Sequence, residues 1–193
     1  LATLLLATAY VVLAPHPARM HAPGVLAPDD PVQVDIARGT PFAVGDYTLT
    51  PLADFKLTAR VLSRADYSWD RSAALSPTDF AFGWGAMSDS SVLAGLDISQ
   101  SGRWYFYRWR TSEPPIPLAQ IIHDSSNMHM IPANADVEAA LRKLRAGQVM
   151  HATGYLVSVR GKDGFTWESS LTRDDSGAGA CELMWVESIA TVR

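Results

Sequence analysis

The chain has 193 residues, a formal net charge of −4 and a pI of about 5.7. This length suits one globular domain with a full core. Proteins that bind nucleic acid through its phosphates need clustered Lys and Arg, so the acidic balance argues against nucleic acid as a partner. The composition, 48% hydrophobic and 19% charged, is typical of a soluble domain joined to an additional apolar segment.

That apolar segment is LATLLLATAYVVLA, residues 1–14, which contains no charged side chain. A helix of this length spans about 21 Å, less than the roughly 30 Å hydrocarbon core, so a spanning helix would need about four to six further residues. We expect an uncleaved membrane anchor, with a cleaved signal segment and a buried helix as the alternatives. An anchor predicts a protein of the inner membrane whose domain faces the periplasm or the cell exterior.

Residues 15–40 are predicted to form a linker, because PHPARMHAPGVLAPDDP contains five prolines and no hydrophobic period. The single globular domain should then occupy residues 41–193. Apolar and polar residues alternate in FKLTARVL, which predicts an early strand within residues 47–62. In residues 75–99, Ser76 and Ser88 fit the N-caps of two short helical turns on either side of Gly83-Trp84-Gly85.

Aromatic residues dominate GRWYFYRWRT, residues 102–111. Trp104 and Phe106 should face one side of a strand, while Tyr105 and Tyr107 face the other. Aromatic residues on both faces indicate either a strand that is covered on both sides or one whose outer face is a binding surface.

The remaining elements have clear periodicity. PIPLAQIIHD predicts a short helix with Leu118, Ile121 and Ile122 inward, and NMHMIP predicts a strand. Asn134 should cap a helix that ends near Gly147, because apolar residues recur there at helical spacing. GQVMHATGYLVSV, FTWESSLT and CELMWVESIATV predict three strands.

The fold class predicted from these elements is mainly β (α+β). A glycine in the middle of a strand lets it coil, as in small barrels. The glycine of GYLV therefore favours a small bent β-barrel, OB-like, with short helical insertions and an N-terminal membrane helix.

Four phrases, GRWYFYRW, SNMHMIPA, GYLV and SSLTRDDSGAGACE, resemble a group of uncharacterised bacterial proteins. Those proteins pair an N-terminal membrane segment with one exported domain. The resemblance covers roughly residues 45–190 and implies membrane anchoring, but it implies no activity, cofactor or catalytic residue.

The only cysteine of the chain, Cys181, lies in RDDSGAGACELMWV. We expect a hairpin in which Cys181 is buried and Arg173, Asp174 and Asp175 have structural roles. Arg173 should bind a carboxylate or carbonyls of the glycine loop. The alternative is a thiol hydrolase or transferase, with Cys181 as nucleophile, His129 as base, and Asn127 or Asp124 orienting the imidazole.

Metal sites receive little support from the spacing of the possible ligands. His123, Asp124 and His129 form one group, and Asp174, Asp175 and Glu182 form another. Neither has the spacing of a zinc motif or of a calcium loop. We therefore predict no metal and no cofactor.

The lead functional hypothesis is a membrane-anchored extracytoplasmic domain that binds a protein or an envelope ligand. Aromatic and Arg side chains tend to anchor such contacts. The predicted binding face contains six residues: Trp84, Arg103, Tyr105, Tyr107, Asn127 and His129. Base stacking on Trp104, Tyr105 and Tyr107 is a further alternative, which the acidic charge opposes.

Overall fold

The structure is a computed structural model, and it describes residues 18–175, 177 and 179–192. The predicted membrane segment, residues 1–14, lies outside this range. Across the described residues, no helix combines the length and the apolar character needed to cross a membrane.

Strands make up 46% and helices 16% of the described residues, which confirms the prediction of a mainly β fold. The strands are β1 (Val32–Asp35), β2 (Phe42–Val44), β3 (Tyr47–Asp66), β4 (Thr78–Gly83), β5 (Leu96–Ser101), β6 (Trp104–Trp109), β7 (Ser125–Pro132), β8 (Val149–Gly161), β9 (Thr166–Glu168) and β10 (Glu182–Val192). The α-helices are α1 (Ser90–Leu93), α2 (Leu118–His123) and α3 (Ala135–Lys143). Short 3-10 helices span Arg71–Ala74 and Gly85–Ser88.

Five strands form a closed ring. β3 pairs with β4, β4 with β7, β7 with β10, β10 with β8, and β8 with β3 again. Only the β7 and β10 pair of this ring is parallel. β1 and β2 pair with β3, β9 pairs with β8, and β5 and β6 form a separate two-stranded sheet.

The ring can close because β3 is long and irregular. Its register shifts between Pro51 and Ala53 against β8, and between Val61 and Ser63 against β4. Each shift leaves one extra residue in β3, and such bulges bend a strand and increase its twist. β3 therefore pairs with β8 along most of its length and then turns onto β4.

The main core packs side chains of the ring strands against α3. It includes Phe55, Phe80 and Met184 from the strands and Leu141 from the helix. Asn134 caps α3, because its Oδ1 accepts hydrogen bonds of 3.0 Å from two backbone N–H groups, those of Asp136 and Val137. The predicted helix and its cap are confirmed.

A smaller core joins the β5–β6 sheet, α1 and α2 to the ring. Met87, Leu96 and Ile121 are buried in this core, and Tyr107 packs against it from β6. The segment between β4 and β7, which contains α1, the β5–β6 hairpin and α2, therefore packs on the ring through apolar side chains.

Several local predictions were wrong. Ser76 does not start a helical turn, because the residues after it form the fully buried β4. The second turn exists as α1, but Asp89 caps it, since its side chain accepts from Ser91 N. In α2, Ile121 is buried as predicted, whereas Leu118 is 45% exposed.

Two further boundaries differ from the prediction. β1 lies inside the predicted linker, because the alternating VQVD sequence pairs with β3. Gly147 does not end α3, which stops at Lys143. Instead, Gly147 donates its N–H to Val61 O at 2.7 Å, so it contacts β3.

Gly154, in the middle of β8, gives a test of the ring. A side chain there would overlap the backbone oxygen of Trp185, beside the bulge in β10. We expect Gly154→Ala to lower the free energy of unfolding by about 3 kcal/mol, because backbone atoms cannot move aside as flexible side chains do. Chemical denaturation measures this difference.

The control is Gly164→Ala. Gly164 has a positive φ of 85° but no atom within 4 Å of a Cβ, so the substitution should cost about 1 kcal/mol through backbone strain alone. Equal losses for the two variants would contradict a steric role for Gly154.

Candidate functional site

Two adjoining cavities lie where the β5–β6 hairpin and the segment before β10 meet the ring. The first, here called the aromatic cavity, has a volume of about 340 Å³ and the second about 330 Å³. Trp104, Gly177 and Cys181 line both. The aromatic cavity is lined mainly by Trp84, Trp104, Tyr105, Phe106, Tyr107, Ile122, Ser125, Ser126, Asn127, Arg173, Asp175, Cys181 and Glu182.

The hairpin has two different faces, as its sequence predicts. Trp104 and Phe106 are 43% and 46% exposed, whereas Tyr105 and Tyr107 are partly buried. The two tyrosine rings lie 5.5 Å apart, and Tyr105 Oη is 3.4 Å from Ser125 Oγ. Burial raises the pKa of the Tyr105 phenol well above its ordinary value, so this hydroxyl stays protonated.

Asn127 connects the hairpin to β7. Its Oδ1 accepts a 2.6 Å hydrogen bond from Gln100 Nε2, and its Nδ2 donates to Arg103 O at 3.0 Å. The same Nδ2 lies 3.5 Å from Cys181 Sγ. Because both ends of the amide are used, Asn127 has a fixed orientation in the wall of the aromatic cavity.

Glu182, which sequence analysis considered only as a possible metal ligand, is the first residue of β10 and is only 2% exposed. Ser126 Oγ donates a hydrogen bond to Glu182 Oε2, and Arg173 Nη1 lies 3.8 Å from Glu182 Oε1. Burial raises the pKa of this carboxyl to about 7, although the Ser126 hydrogen bond and the Arg173 charge oppose the rise. Near neutral pH, Glu182 therefore exists in both protonation states.

Arg103 occupies the tip of the hairpin with a positive φ of 70°. With Gly102, which also has a positive φ, it forms the two-residue turn that suits a tight β-hairpin. Its guanidinium donates to Asp70, to Ser76 O and, at 2.8 Å, to Asp79 Oδ1. It also lies over the ring of Tyr67, 4.1 Å from the centroid.

Asp79, in β4, has no exposed surface and contacts two basic side chains, those of Arg103 and His129. Arg103 binds one oxygen, and His129 Nδ1 lies 2.9 Å from the other, at an angle too oblique for a hydrogen bond. The His129 ring packs on Trp167, with 4.6 Å between centroids, and it lines the second cavity. Sequence analysis missed Asp79 as a partner because the wrong helical turn was predicted there.

Cys181 and His129 line the same second cavity, but the described residues show no hydrogen bond between them. Burial raises the pKa of the Cys181 thiol, and the nearby carboxylates of Glu182 and Asp79 raise it further, whereas the Asn127 contact opposes the rise. The neighbour of His129 is Asp79, rather than Asn127 or Asp124. Of the catalytic group considered from the sequence, Cys181 and His129 therefore line one cavity, but neither Asn127 nor Asp124 is the partner of His129.

The six residues of the predicted binding face surround the two cavities. Trp84, Tyr105, Tyr107 and Asn127 line the aromatic cavity, whereas Arg103 and His129 line the second. Trp84 is fully buried, so it belongs to a cavity wall and not to an exposed patch.

The strands on either side of Arg173 and Cys181, β9 and β10, do not pair with each other, so they do not form the predicted hairpin. Arg173 lies 3.8 Å from the Glu182 carboxylate, and its Nη2 donates to Gln33 Oε1 at 3.2 Å. Asp175 accepts from Ser170 Oγ at 2.6 Å, and Asp174 is exposed. Cys181 is partly exposed instead of buried.

One group of possible metal ligands lies near the aromatic cavity. Single atoms of Asp30, His123 and Asp124 lie within 4.8 Å of one another. Both oxygens of Asp124 already have protein contacts, one with His123 Nδ1 and one with Ala86 N, each at 3.0 Å. Protein contacts thus account for the position of Asp124 without an ion.

Arg103 should matter for stability because it neutralises a wholly buried carboxylate. We expect Arg103→Ala to lower the free energy of unfolding by about 3 kcal/mol, since removal of one partner leaves the Asp79 charge buried and unpaired. The matched control is Arg110→Ala, because Arg110 pairs with Asp97 and both side chains are about 60% exposed, at 60% and 58%. This exposed pair should contribute less than about 1 kcal/mol. Similar losses by chemical denaturation would contradict the assigned role of Arg103.

The site combines an aromatic wall with a few fixed polar groups, an arrangement typical of ligand pockets. The His129 imidazole lines the adjoining cavity, and Cys181 lines both cavities. No family model, curated protein or solved structure matches the chain.

Proposed function

We propose that this protein is an extracytoplasmic binding module, anchored in the inner membrane by residues 1–14. Its aromatic cavity binds an envelope ligand or an exposed segment of a partner protein. The observation that carries this proposal is the cavity itself, in which five aromatic residues surround fixed polar groups. Tyr and Trp side chains combine large apolar faces with polar edges, which suits them to anchor ligands.

The strand order supports a finer proposal for the fold, a small OB-like barrel. The order β3, β4, β7, β10, β8 closes on itself, β7 and β10 are parallel, and α3 connects β7 to β8. OB folds are five-stranded, and they bind ligands on the face of their second and third strands and on the loops beside it. The equivalent strands here are β4 and β7, which carry Asp79, Asn127 and His129.

A binding function suits the polar groups better than a catalytic one does. Asn127, Tyr105 and Arg103 are each fixed by protein contacts, which orient them without making them reactive. Burial holds the Cys181 thiol and the Tyr105 phenol in their protonated forms. The walls therefore offer shape and hydrogen bonds.

Substitutions on the two faces of the hairpin test the binding function. Full-length protein in detergent is titrated with peptidoglycan fragments, envelope oligosaccharides and peptides, and tryptophan fluorescence is recorded. We expect at least one of these to bind, and Tyr107→Ala and Trp104→Ala to weaken that binding about tenfold or more, because they remove anchoring rings.

Trp69→Ala is the control for that titration. Trp69 is 98% exposed, and it lies in the segment between β3 and β4. Its loss should leave affinity within about twofold. Absence of binding by the whole panel, or equal weakening by Trp69→Ala, would count against the proposal.

A cysteine-dependent hydrolase or transferase that uses Cys181 and His129 is a second candidate. One observation favours it: the buried carboxylate of Asp79 lies 2.9 Å from His129 Nδ1, the position of the third member in a catalytic triad. In that case Asp79, and not Asn127, would be the third member of the group.

Alkylation of Cys181 separates the two candidates. Because burial raises the pKa of this thiol, iodoacetamide should react at pH 8 more slowly than with a free cysteine, whose pKa is about 8.5. Urea should restore the fast rate, and His129→Ala should change little. A fast rate in the folded protein that falls in His129→Ala and in Asp79→Asn would instead favour the hydrolase.

A further inference from the structure

Two hydrogen-bond donors of the aromatic cavity have no acceptor. Trp84 is fully buried, and its Nε1 has no partner among the described residues. Arg173 Nη1 is also buried and without a hydrogen-bond partner in that part of the chain. Both residues line the aromatic cavity. Buried polar groups normally have a partner, so an unpartnered pair in one cavity indicates a place for acceptor atoms of a ligand.

One oxygen of each acidic group in the same cavity accepts a hydrogen bond from a neighbouring serine. Asp175 Oδ2 accepts from Ser170 Oγ, and Glu182 Oε2 accepts from Ser126 Oγ. Arg173 Nη1 is 3.8 Å from Glu182 Oε1, which is too far for a hydrogen bond. Neither acidic group therefore accepts a hydrogen bond from Trp84 Nε1 or Arg173 Nη1, and a cationic ligand would leave both donors unpartnered.

We propose that the ligand of the aromatic cavity carries a carboxylate, which accepts hydrogen bonds from Trp84 Nε1 and Arg173 Nη1. The apolar or ring-bearing part of the ligand packs against Tyr105 and Tyr107. This inference rests on the proposed binding function and specifies the chemical class of the ligand.

A monoanion fits this cavity better than a dianionic phosphate. Arg173 is the only basic residue among those that line the cavity in the described structure, and Glu182 and Asp175 lie beside it. A second negative charge on the ligand would face two carboxyl groups with a single guanidinium to offset them.

Binding of a carboxylate should be linked to protonation of Glu182. The charged groups that face Glu182 are Arg173 and Asp175, and the Cys181 thiol is also close; Asp30 lies near Arg173. A ligand anion favours the neutral form of Glu182, so the complex takes up a proton where free Glu182 is ionised. Affinity then falls as the pH rises through about 7, the pKa of Glu182.

Three probes of one shape test the charge preference: phenylacetate, phenylacetamide and 2-phenylethylamine. Each is titrated into full-length protein in detergent, with affinity from calorimetry and the Trp84 indole N–H followed by NMR. We expect phenylacetate to bind at least tenfold more tightly than the other two and to shift the Trp84 signal downfield. Tighter binding by the amine or the amide would overturn the inference while leaving the binding function intact.

Three variants assign the contacts. Trp84→Phe removes the donor but keeps a ring, and Arg173→Gln removes the charge; each should weaken phenylacetate at least fivefold. Glu182→Gln should abolish the loss of affinity between about pH 6 and pH 8, which otherwise approaches tenfold per pH unit above the Glu182 pKa. Arg110→Gln, on the exposed Asp97 pair, is the control and should change nothing. Unchanged affinity in both Trp84→Phe and Arg173→Gln would overturn the inference.

Further probes separate the sources of the carboxylate. The peptide Gly-Gly-Phe with a free C-terminus is compared with its C-terminal amide, and phenyl phosphate is compared with phenylacetate. A preference for the free peptide over phenylacetate assigns the site to peptide C-termini, and the reverse order assigns it to small carboxylates.

Tighter binding of phenyl phosphate overturns the inference. Binding of an envelope component that none of these carboxylates displaces overturns it but keeps the binding function, whereas no binding by any compound removes both.

Discussion

The ion pair between Arg103 and the buried Asp79 fixes the β5–β6 hairpin on the five-stranded ring. An unpaired carboxylate with no exposed surface would cost several kcal/mol. Docking of the hairpin supplies the partner of this carboxylate. Arg103 also adopts a positive φ at the tip, a conformation that costs roughly 1 kcal/mol for a residue with a side chain. The contacts of its guanidinium offset that cost, so the turn geometry and the docking depend on one residue.

The aromatic cavity is a consequence of this docking. Tyr105 and Tyr107 face the ring only because the hairpin lies across β7, where Asn127 binds both Gln100 and the backbone of Arg103. Without the hairpin, the ends of β7 and β10 would be open to solvent. The contacts of Arg103, Asp79 and Asn127 that hold the hairpin on the ring are thus structural. The groups proposed to contact a ligand are other side chains of the cavity.

Helices and strands could be predicted from the sequence where only one of their faces is buried, because apolar and polar residues then recur with a regular period. α3 has an apolar stripe and a capping asparagine, and the sequence of β8 alternates, so both were identified correctly. β4 is buried along its whole length, and a strand covered on both faces shows no alternation. Ser76 and Pro77 were therefore interpreted as the start of a helical turn. Because β4 was not predicted, the position of Asp79 opposite His129 in the sheet was not predicted either. The partners of Arg173 were missed for a similar reason, because Gln33 and Glu182 are brought to it by pairing over long distances in the chain.

Burial acts in the same direction on Cys181 and Glu182, since it favours the neutral form of each acid. A thiol held neutral is a poor nucleophile, and a carboxyl group held partly neutral is a weak counter-ion for Arg173. Burial therefore has two effects at this site. It opposes formation of the Cys181 thiolate, and it weakens Glu182 as the counter-ion of Arg173. Trp84 adds a second donor without an acceptor among the described residues. The proposed binding of an anionic oxygen pair therefore rests on the two unpartnered donors and on the weakened acid beside them.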